Sequence, residues 1–191
     1  MRLILASASP RRAELLRQAG FEFEVMPADV DERVAAGESP TGYVRRLAAE
    51  KSQIVYLRLA ATASDVAVLG ADTAVIVDGA ILGKPRNDAD AAAMLRRLAG
   101  RAHVVMTGVS LRHAGGETGT VVSTTVTFAP LSDLQIAEYV ASGEGRDKAG
   151  AYAIQGLASR FIPDINGSYS NVVGLDLFTV ASLLRGIGFP V

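Results

Sequence analysis

The stretch Leu3-Ile4-Leu5-Ala6-Ser7-Ala8-Ser9-Pro10-Arg11-Arg12-Ala13-Glu14-Leu15-Leu16-Arg17-Gln18 runs from an apolar tetrad through a small hydroxyl-bearing loop into a helical pattern. Leu3 to Ala6 reads as a short buried strand, and Pro10 to about Gln18 as a helix. Ser9 is placed to cap that helix with its hydroxyl. Pro10 suits the first helical position, where a missing N–H costs nothing, and Gly20 suits a left-handed stop. A strand that feeds straight into a helix is a building unit of α/β proteins.

Working outward, Tyr43, Val44, Leu47, Ala48, Ile54 and Val55 recur at helical spacing and predict a second helix from Pro40 to about Leu59, its polar face carrying Arg45, Arg46, Glu50 and Lys51. Val66 to Leu69 and Thr73 to Val77 read as β structure interrupted by Gly70-Ala71-Asp72. Asp78-Gly79 is a hairpin-turn pair leading into Ala80-Ile81-Leu82. A helix follows from Asn87 to Leu98, ending at Gly100. Two strands, His103 to Arg112 and Thr120 to Phe128, are joined by a Gly115-Gly116 turn. Ser132 caps a helix reaching Ala141, Gly143 to Gly156 reads as loop, and Leu175 to Arg185 as a closing helix. Helices alternating with strands predict an α/β class, and the two hairpins predict a mixed rather than purely parallel sheet.

A chain of 191 residues is long enough for a proper core and suits one domain, or two small lobes sharing one core. With 49% apolar and 20% charged residues it is expected to fold throughout. No cysteine is present, which excludes disulfides, thiolate metal sites and thiol nucleophiles, and leaves oxygen or nitrogen donors for any cation. A net charge of −1 provides no broad positive field for stable nucleic-acid binding, whereas a local basic cluster would still hold a compact anion. No run approaches the roughly 20 apolar residues needed to cross a bilayer, and the N-terminus lacks the apolar core of a secretion signal. No membrane association and a cytoplasmic location are therefore expected.

Three groups of residues look chemical. Ser7-Ala8-Ser9-Pro10-Arg11-Arg12 gathers backbone N–H groups, hydroxyls and two guanidinium groups at a helix N-terminus, which suits a phosphate. The same residues also describe an ordinary capped helix with two solvated arginines. Gly70-Ala71-Asp72-Thr73 and Gly83-Lys84-Pro85 flank the Asp78-Gly79 turn, so Asp72 and Lys84 are expected to face each other across the hairpin. They would form either a plain cross-strand ion pair or a carboxylate that takes a proton or a divalent cation beside an ammonium that neutralises phosphate. The third group is Asp147-Lys148-Ala149-Gly150-Ala151-Tyr152-Ala153-Ile154-Gln155-Gly156, followed by Ile165 to Asn171. Its small residues admit a close ligand, and Gln155 offers a donor and an acceptor to a nucleobase edge, unless the segment is only a surface loop. His103 and His113 read as structural.

Taken together, Leu-Ala-Ser-Ala-Ser-Pro-Arg-Arg-Ala-Glu-Leu-Leu from Leu5, Gly-Ala-Asp-Thr from Gly70 with Gly-Lys-Pro from Gly83, and Asp-Lys-Ala-Gly-Ala-Tyr-Ala-Ile-Gln-Gly from Asp147 resemble the Maf family over nearly the whole chain. The resemblance implies an α/β fold with a mixed twisted sheet flanked by helices around a central cleft, of inosine triphosphatase-like architecture, in a single catalytic domain spanning residues 1–191 or two lobes about one cleft. It further implies a nucleoside triphosphate pyrophosphatase of the branch that prefers dTTP and UTP, because Arg11, Thr73 and Gln155 match the three positions that set this branch apart. By the same resemblance Asp72 is the proton acceptor, Ser7, Arg12, Lys51 and Lys84 lie around the phosphates, and Glu32 joins Asp72 in holding a divalent cation, magnesium or manganese. A homodimer is implied as well. Two alternatives stay open: the same chemistry on purine or 7-methylguanosine triphosphates, and a non-enzymatic regulator of septum formation that acts by partner binding.

Overall fold

A computed structural model describes residues 1–60 and 65–190. The opening stretch forms β1 (Arg2–Leu5) and α1 (Pro10–Gln18), with Gly20 at φ +80 where the stop is expected. The chain continues through β2 (Glu24–Val25), α2 (Pro40–Ala60), β3 (Val66–Val77), β4 (Ala80–Leu82) and α3 (Asp88–Leu98). It then forms β5 (Ala102–His113), β6 (Gly116–Thr127), α4 (Asp133–Ala141), β7 (Asp164–Asn166), α5 (Tyr169–Val173) and α6 (Leu177–Gly186).

Among the described residues, seven strands join one sheet in the order β2-β1-β3-β5-β6-β7, with β4 paired to β3 off this path. β1 runs parallel to β2 and to β3, the latter in register Arg2↔Val66 to Leu5↔Leu69, whereas β4 is antiparallel to β3 and β7 to β6. The sheet is mixed, as the hairpins require. The Asp78-Gly79 turn is where the sequence places it: both residues have positive φ, +52 and +73, which is the type I′ geometry that matches strand twist, and Val77 pairs with Ala80 across it. The second hairpin turns one residue earlier than expected, at Ala114-Gly115, because Gly116 already belongs to β6.

One expectation is corrected in the middle of β3. Gly70-Ala71-Asp72 does not interrupt the strand; twelve residues run continuously, nearly all of them buried. β1 pairs with β3 only as far as Leu69 and β4 only from Val75, and β5 neighbours β3 on the other side, so the strand stays within the sheet and a glycine and a carboxylate do not end it. The glycine has a packing reason. A Cβ at Gly70 would collide with the carbonyl oxygen of Ala48 and sit 2.7 Å from the amide nitrogen of Ser52, so its absence lets the α2 backbone lie against β3.

The chain clusters into two compact units. The first comprises Met1–Thr73, Thr107–Val122 and Gly174–Val191, and the second Ala74–Met106 and Ser123–Val173. In the first, Ile4, Ala6, Val55 and Val68 form a fully buried cluster against which Met26, Ala28, Tyr56 and Leu59 pack. In the second, the rings of His103, Phe128 and Tyr152 meet edge to face, with centroids 4.9 to 5.4 Å apart, and Tyr139 packs similarly against Phe161. α4 opens with the Ser132/Gln135 capping box, so its serine cap is as expected.

Candidate active site

The loop between β1 and α1 turns Ser7 inward. Its hydroxyl accepts the backbone N–H of Ser9 at 3.2 Å and one guanidinium N–H of Arg12 at 3.0 Å. Ser9 does occupy the N-cap position, but its hydroxyl makes no capping bond; Ser7 is the serine that organises the loop. Arg12 is buried, with 8% of its surface exposed. Besides Ser7 it donates from Nε to the Gly174 carbonyl at 2.8 Å and from Nη2 to Thr73 Oγ1 at 3.0 Å. Three of its five N–H groups thus hold the protein, and two stay available to an anion. Burial lowers the pKa of Arg12 from its ordinary value, against the pull of Asp72, without threatening its charge. Arg11, the preceding residue, is half-buried.

Asp72 lies in the buried middle of β3, and the ammonium that meets it is Lys51 from α2, at 2.6 Å from Oδ1. This corrects the expected partner. The β3–β4 ladder closes at Val75↔Leu82, so Lys84 falls beyond it, whereas the close approach allowed by Gly70 brings Lys51 to the carboxylate. The same Lys51 Nζ donates to Glu32 Oε1 at 2.7 Å, so one ammonium holds two carboxylates. Burial raises the Asp72 pKa above the usual carboxylate range; Lys51 and then Arg12 oppose the rise, and the neighbouring Glu32 charge adds to it. Oδ2 of Asp72 makes no hydrogen bond among the described residues, and its side chain keeps 10% of its exposure, so one carboxylate oxygen remains open to a water molecule.

Thr73, next along β3, hydrogen-bonds Thr107 at 2.9 Å and donates to the Gly174 carbonyl at 3.2 Å in addition to accepting from Arg12. Six of the expected residues therefore lie together in the first unit as two hydrogen-bonded groups, Ser7–Arg12–Thr73 and Glu32–Lys51–Asp72, coupled through the electrostatic interaction of Arg12 with Asp72. Thr107 and Gly174 complete the first group and were not singled out in the sequence. A threonine inside a strand and a glycine after an apolar pair carry no local signal of such a role.

Of the remaining three, Arg11 belongs to the first unit, while Lys84 and Gln155 belong to the second and are exposed. Their motifs are joined there: Gly150 N–H donates to the Gly83 carbonyl at 3.1 Å. Gln155 sits in a turn anchored by Glu144, whose carboxylate accepts the N–H groups of Leu157 and Ala158 at 2.7 and 3.3 Å and the Tyr139 hydroxyl at 2.8 Å. A Cβ at Gly156 would run into that carboxylate. Of the histidines, His103 is buried and bonded through Nε2 to the Tyr152 hydroxyl at 2.8 Å, a structural place as expected.

The arrangement resembles a phosphate-handling site: a buried acid with one free oxygen, an ammonium at its side, a buried guanidinium, and the N-terminus of α1 following a small-residue loop. The model of the family described as Maf-like protein matches residues 2–187. The chain belongs to this family. Its Maf relatives include a dTTP/UTP pyrophosphatase of Anaeromyxobacter dehalogenans (strain 2CP-C), 52% identical over 99% of this chain and 95% of that protein. Proteins of the same description from Shewanella oneidensis and Neisseria meningitidis serogroup B are 51% and 44% identical, each over 98% of this chain and over 99% and 94% of their own lengths. Among solved structures, the Ham1 protein of Staphylococcus aureus matches 98% of this Maf chain and all of its own, with a TM-score of 0.54 at 14% identity, which is a likeness of fold. Among the described residues no helix is long and apolar enough to cross a membrane.

Proposed function

We infer that this Maf protein is a nucleoside triphosphate pyrophosphatase that hydrolyses dTTP and UTP between the α and β phosphates, releasing a monophosphate and pyrophosphate. Relatives of that description, 44 to 52% identical over nearly the full length, support the substrate class. The observation that carries the chemistry is the buried Asp72 carboxylate, tied to Lys51 through one oxygen and free at the other. Hydrolysis of a phosphoanhydride needs a water in line with the leaving group and an acceptor for its proton, and Asp72 is assigned both tasks. Arg11, Arg12 and Lys51 are assigned to the phosphate oxygens, with Ser7 at the head of α1. From the second unit, Lys84 is assigned to phosphate neutralisation, and Gln155 to base reading together with Thr73.

A divalent cation, magnesium or manganese, belongs to this proposal. Glu32 and Asp72 would hold it: they converge on one ammonium, and their hard oxygen donors suit either ion. Among the described residues no group of three or more His, Cys, Asp or Glu side chains is placed to hold a metal ion. When bound, the cation would neutralise charge on the phosphates. A homodimer, implied by the family resemblance, and the cytoplasmic placement expected from the sequence complete the proposal.

A panel of canonical and modified triphosphates, assayed for pyrophosphate release with and without magnesium, tests it. dTTP and UTP should be turned over far faster than purine or 7-methylguanosine triphosphates. Asp72→Asn should lose about 100-fold or more in kcat with the fold intact, the scale of a general base. Normal pyrophosphate release by that variant removes Asp72 from the role.

A further inference from the structure

Glu32 reaches Lys51 from an exposed segment without helix or strand. Upstream, Met26 and Ala28 pack on the apolar cluster of the first unit, and downstream α2 begins at Pro40. Between them, residues 31–37 are all exposed, without helix or strand, and Val34 keeps 50% of its surface in solvent. A cavity of about 520 Å³, lined by Asp31, Arg33, Val34, Ala35, Arg46 and Glu50, opens beside the segment. Apolar burial therefore does not decide where the Glu32 carboxylate sits.

Polar fastenings do. Tyr43 Oη donates to the Glu32 carbonyl at 2.9 Å, and Arg46 Nη2 donates to the Arg33 carbonyl at 3.1 Å. Arg46 also clasps the Glu38 carboxylate through Nε at 2.6 Å and Nη2 at 2.8 Å, while Glu38 Oε2 accepts the N–H of Ala35 at 2.9 Å. The guanidinium lies 5.7 Å from the centroid of the Tyr43 ring, so the two residues, three apart on one face of α2, brace each other. The Asp31–Arg33 pair, by contrast, is internal to the segment and ties it to nothing.

We propose that Tyr43 and Arg46 are positioning residues that fasten the segment from Glu32 to Glu38 onto α2 and thereby hold the Glu32 carboxylate beside Lys51 and Asp72. Neither touches the reacting atoms. The Tyr43 hydroxyl sets the backbone of Glu32 itself, and Arg46 closes the segment downstream of it, at Arg33 and Glu38. The proposal rests on the role given to Glu32 in the proposed function.

Tyr43→Phe removes the hydroxyl and keeps the ring under Arg46. Amide hydrogen exchange of residues 31–35 in the nucleotide-free protein should speed up about fivefold in this variant, the weight of one hydrogen bond, with the melting temperature close to that of the parent. The Kd for Mn²⁺, measured by paramagnetic resonance in the presence of a non-hydrolysable dTTP analogue, should rise by a similar factor. Arg46→Gln should give the same pattern more strongly, and Arg46→Lys should not restore it, because an ammonium cannot clasp Glu38 with two parallel bonds. In the double variant Tyr43→Phe/Glu32→Gln, turnover should be no lower than in Glu32→Gln alone. Unchanged exchange in Tyr43→Phe, or effects of the two substitutions that multiply, would overturn the proposal. Parental turnover and Mn²⁺ affinity in Glu32→Gln would instead overturn the role given to Glu32, while the exchange rates still report whether the segment is fastened.

Discussion

Lys51 Nζ stands 2.6 Å from Asp72 Oδ1, an ion pair between a helix and the middle of a buried strand in which each side chain keeps about a tenth of its exposure. Such a pair gains little net stability from its own attraction once desolvation is counted, but breaking it leaves a buried charge uncompensated. Its value here lies in the state of the carboxylate. Burial drives the Asp72 pKa up, and Lys51 is the strongest influence holding it down.

Lys51→Met should therefore move the acid limb of the kcat profile to higher pH, since Asp72 accepts a proton only when ionised and its pKa rises further without the ammonium. The sign for stability follows from the same shift. With a folded-state pKa above the unfolded value, the stability contributed by the protonated carboxyl is present at low pH and is lost as pH rises through the folded-state pKa. The variant should be less stable than the parent at pH 7 by about 3 kcal/mol, and the gap should narrow as the pH falls. Denaturant titrations across pH, alongside kcat profiles, check both; an acid limb that stays in place separates Lys51 from the ionisation of Asp72.

Gln155→Glu should cut kcat/KM for dTTP and UTP by about tenfold or more, because an acid offers acceptors where the amide offered a donor and an acceptor. Inhibition by inorganic tripolyphosphate should be nearly unchanged. Glu144→Gln should act on the same property from a distance, since the Glu144 carboxylate anchors the turn through Leu157 and Ala158, and it should shift KM more than kcat. An unaltered preference among triphosphates in Gln155→Glu would remove base reading from this residue.

His103 gives the fold its own pH dependence. Burial lowers its pKa to about 4, so the imidazole stays neutral at pH 7, with Nδ1 buried and unpartnered. With the folded-state pKa below the unfolded value of about 6.5, stability is complete above that pH and declines as pH falls toward the folded-state value. About 3 kcal/mol should be lost between roughly pH 6.5 and 4. His103→Phe should flatten this window in chemical denaturation; an unchanged slope would place the acid sensitivity elsewhere.

Local rules were enough for the elements that depend on neighbours in sequence. Asp78-Gly79 chooses its turn because two adjacent residues must take positive φ, and Ser132 with Gln135 closes a capping box within one helical turn. The two-residue β2, the three-residue β7 and the short α5 escaped, because too few residues take part to show a period. The continuity of β3 through Gly70 escaped for a different reason: it depends on what flanks the strand, and β1, β5 and the α2 backbone come from other parts of the chain.

The sequence by itself determined the α/β class, the mixed sheet, the family and six residues that the fold gathers into two hydrogen-bonded groups in the first unit, since each is signalled by spacing, turn chemistry, a motif or the family resemblance, all of which survive without coordinates. Only the tertiary structure decided who meets whom. Asp72 takes Lys51, 21 residues upstream, instead of the lysine beyond its own hairpin. Arg12 spends its guanidinium on Ser7, Thr73 and a carbonyl 162 residues away, and Tyr43, which the pattern assigns to an apolar helical face, holds the backbone of Glu32. Helical and hairpin patterns act over a few residues and leave a periodic trace, whereas these contacts are made by close approach of elements distant in the chain, which no local pattern encodes.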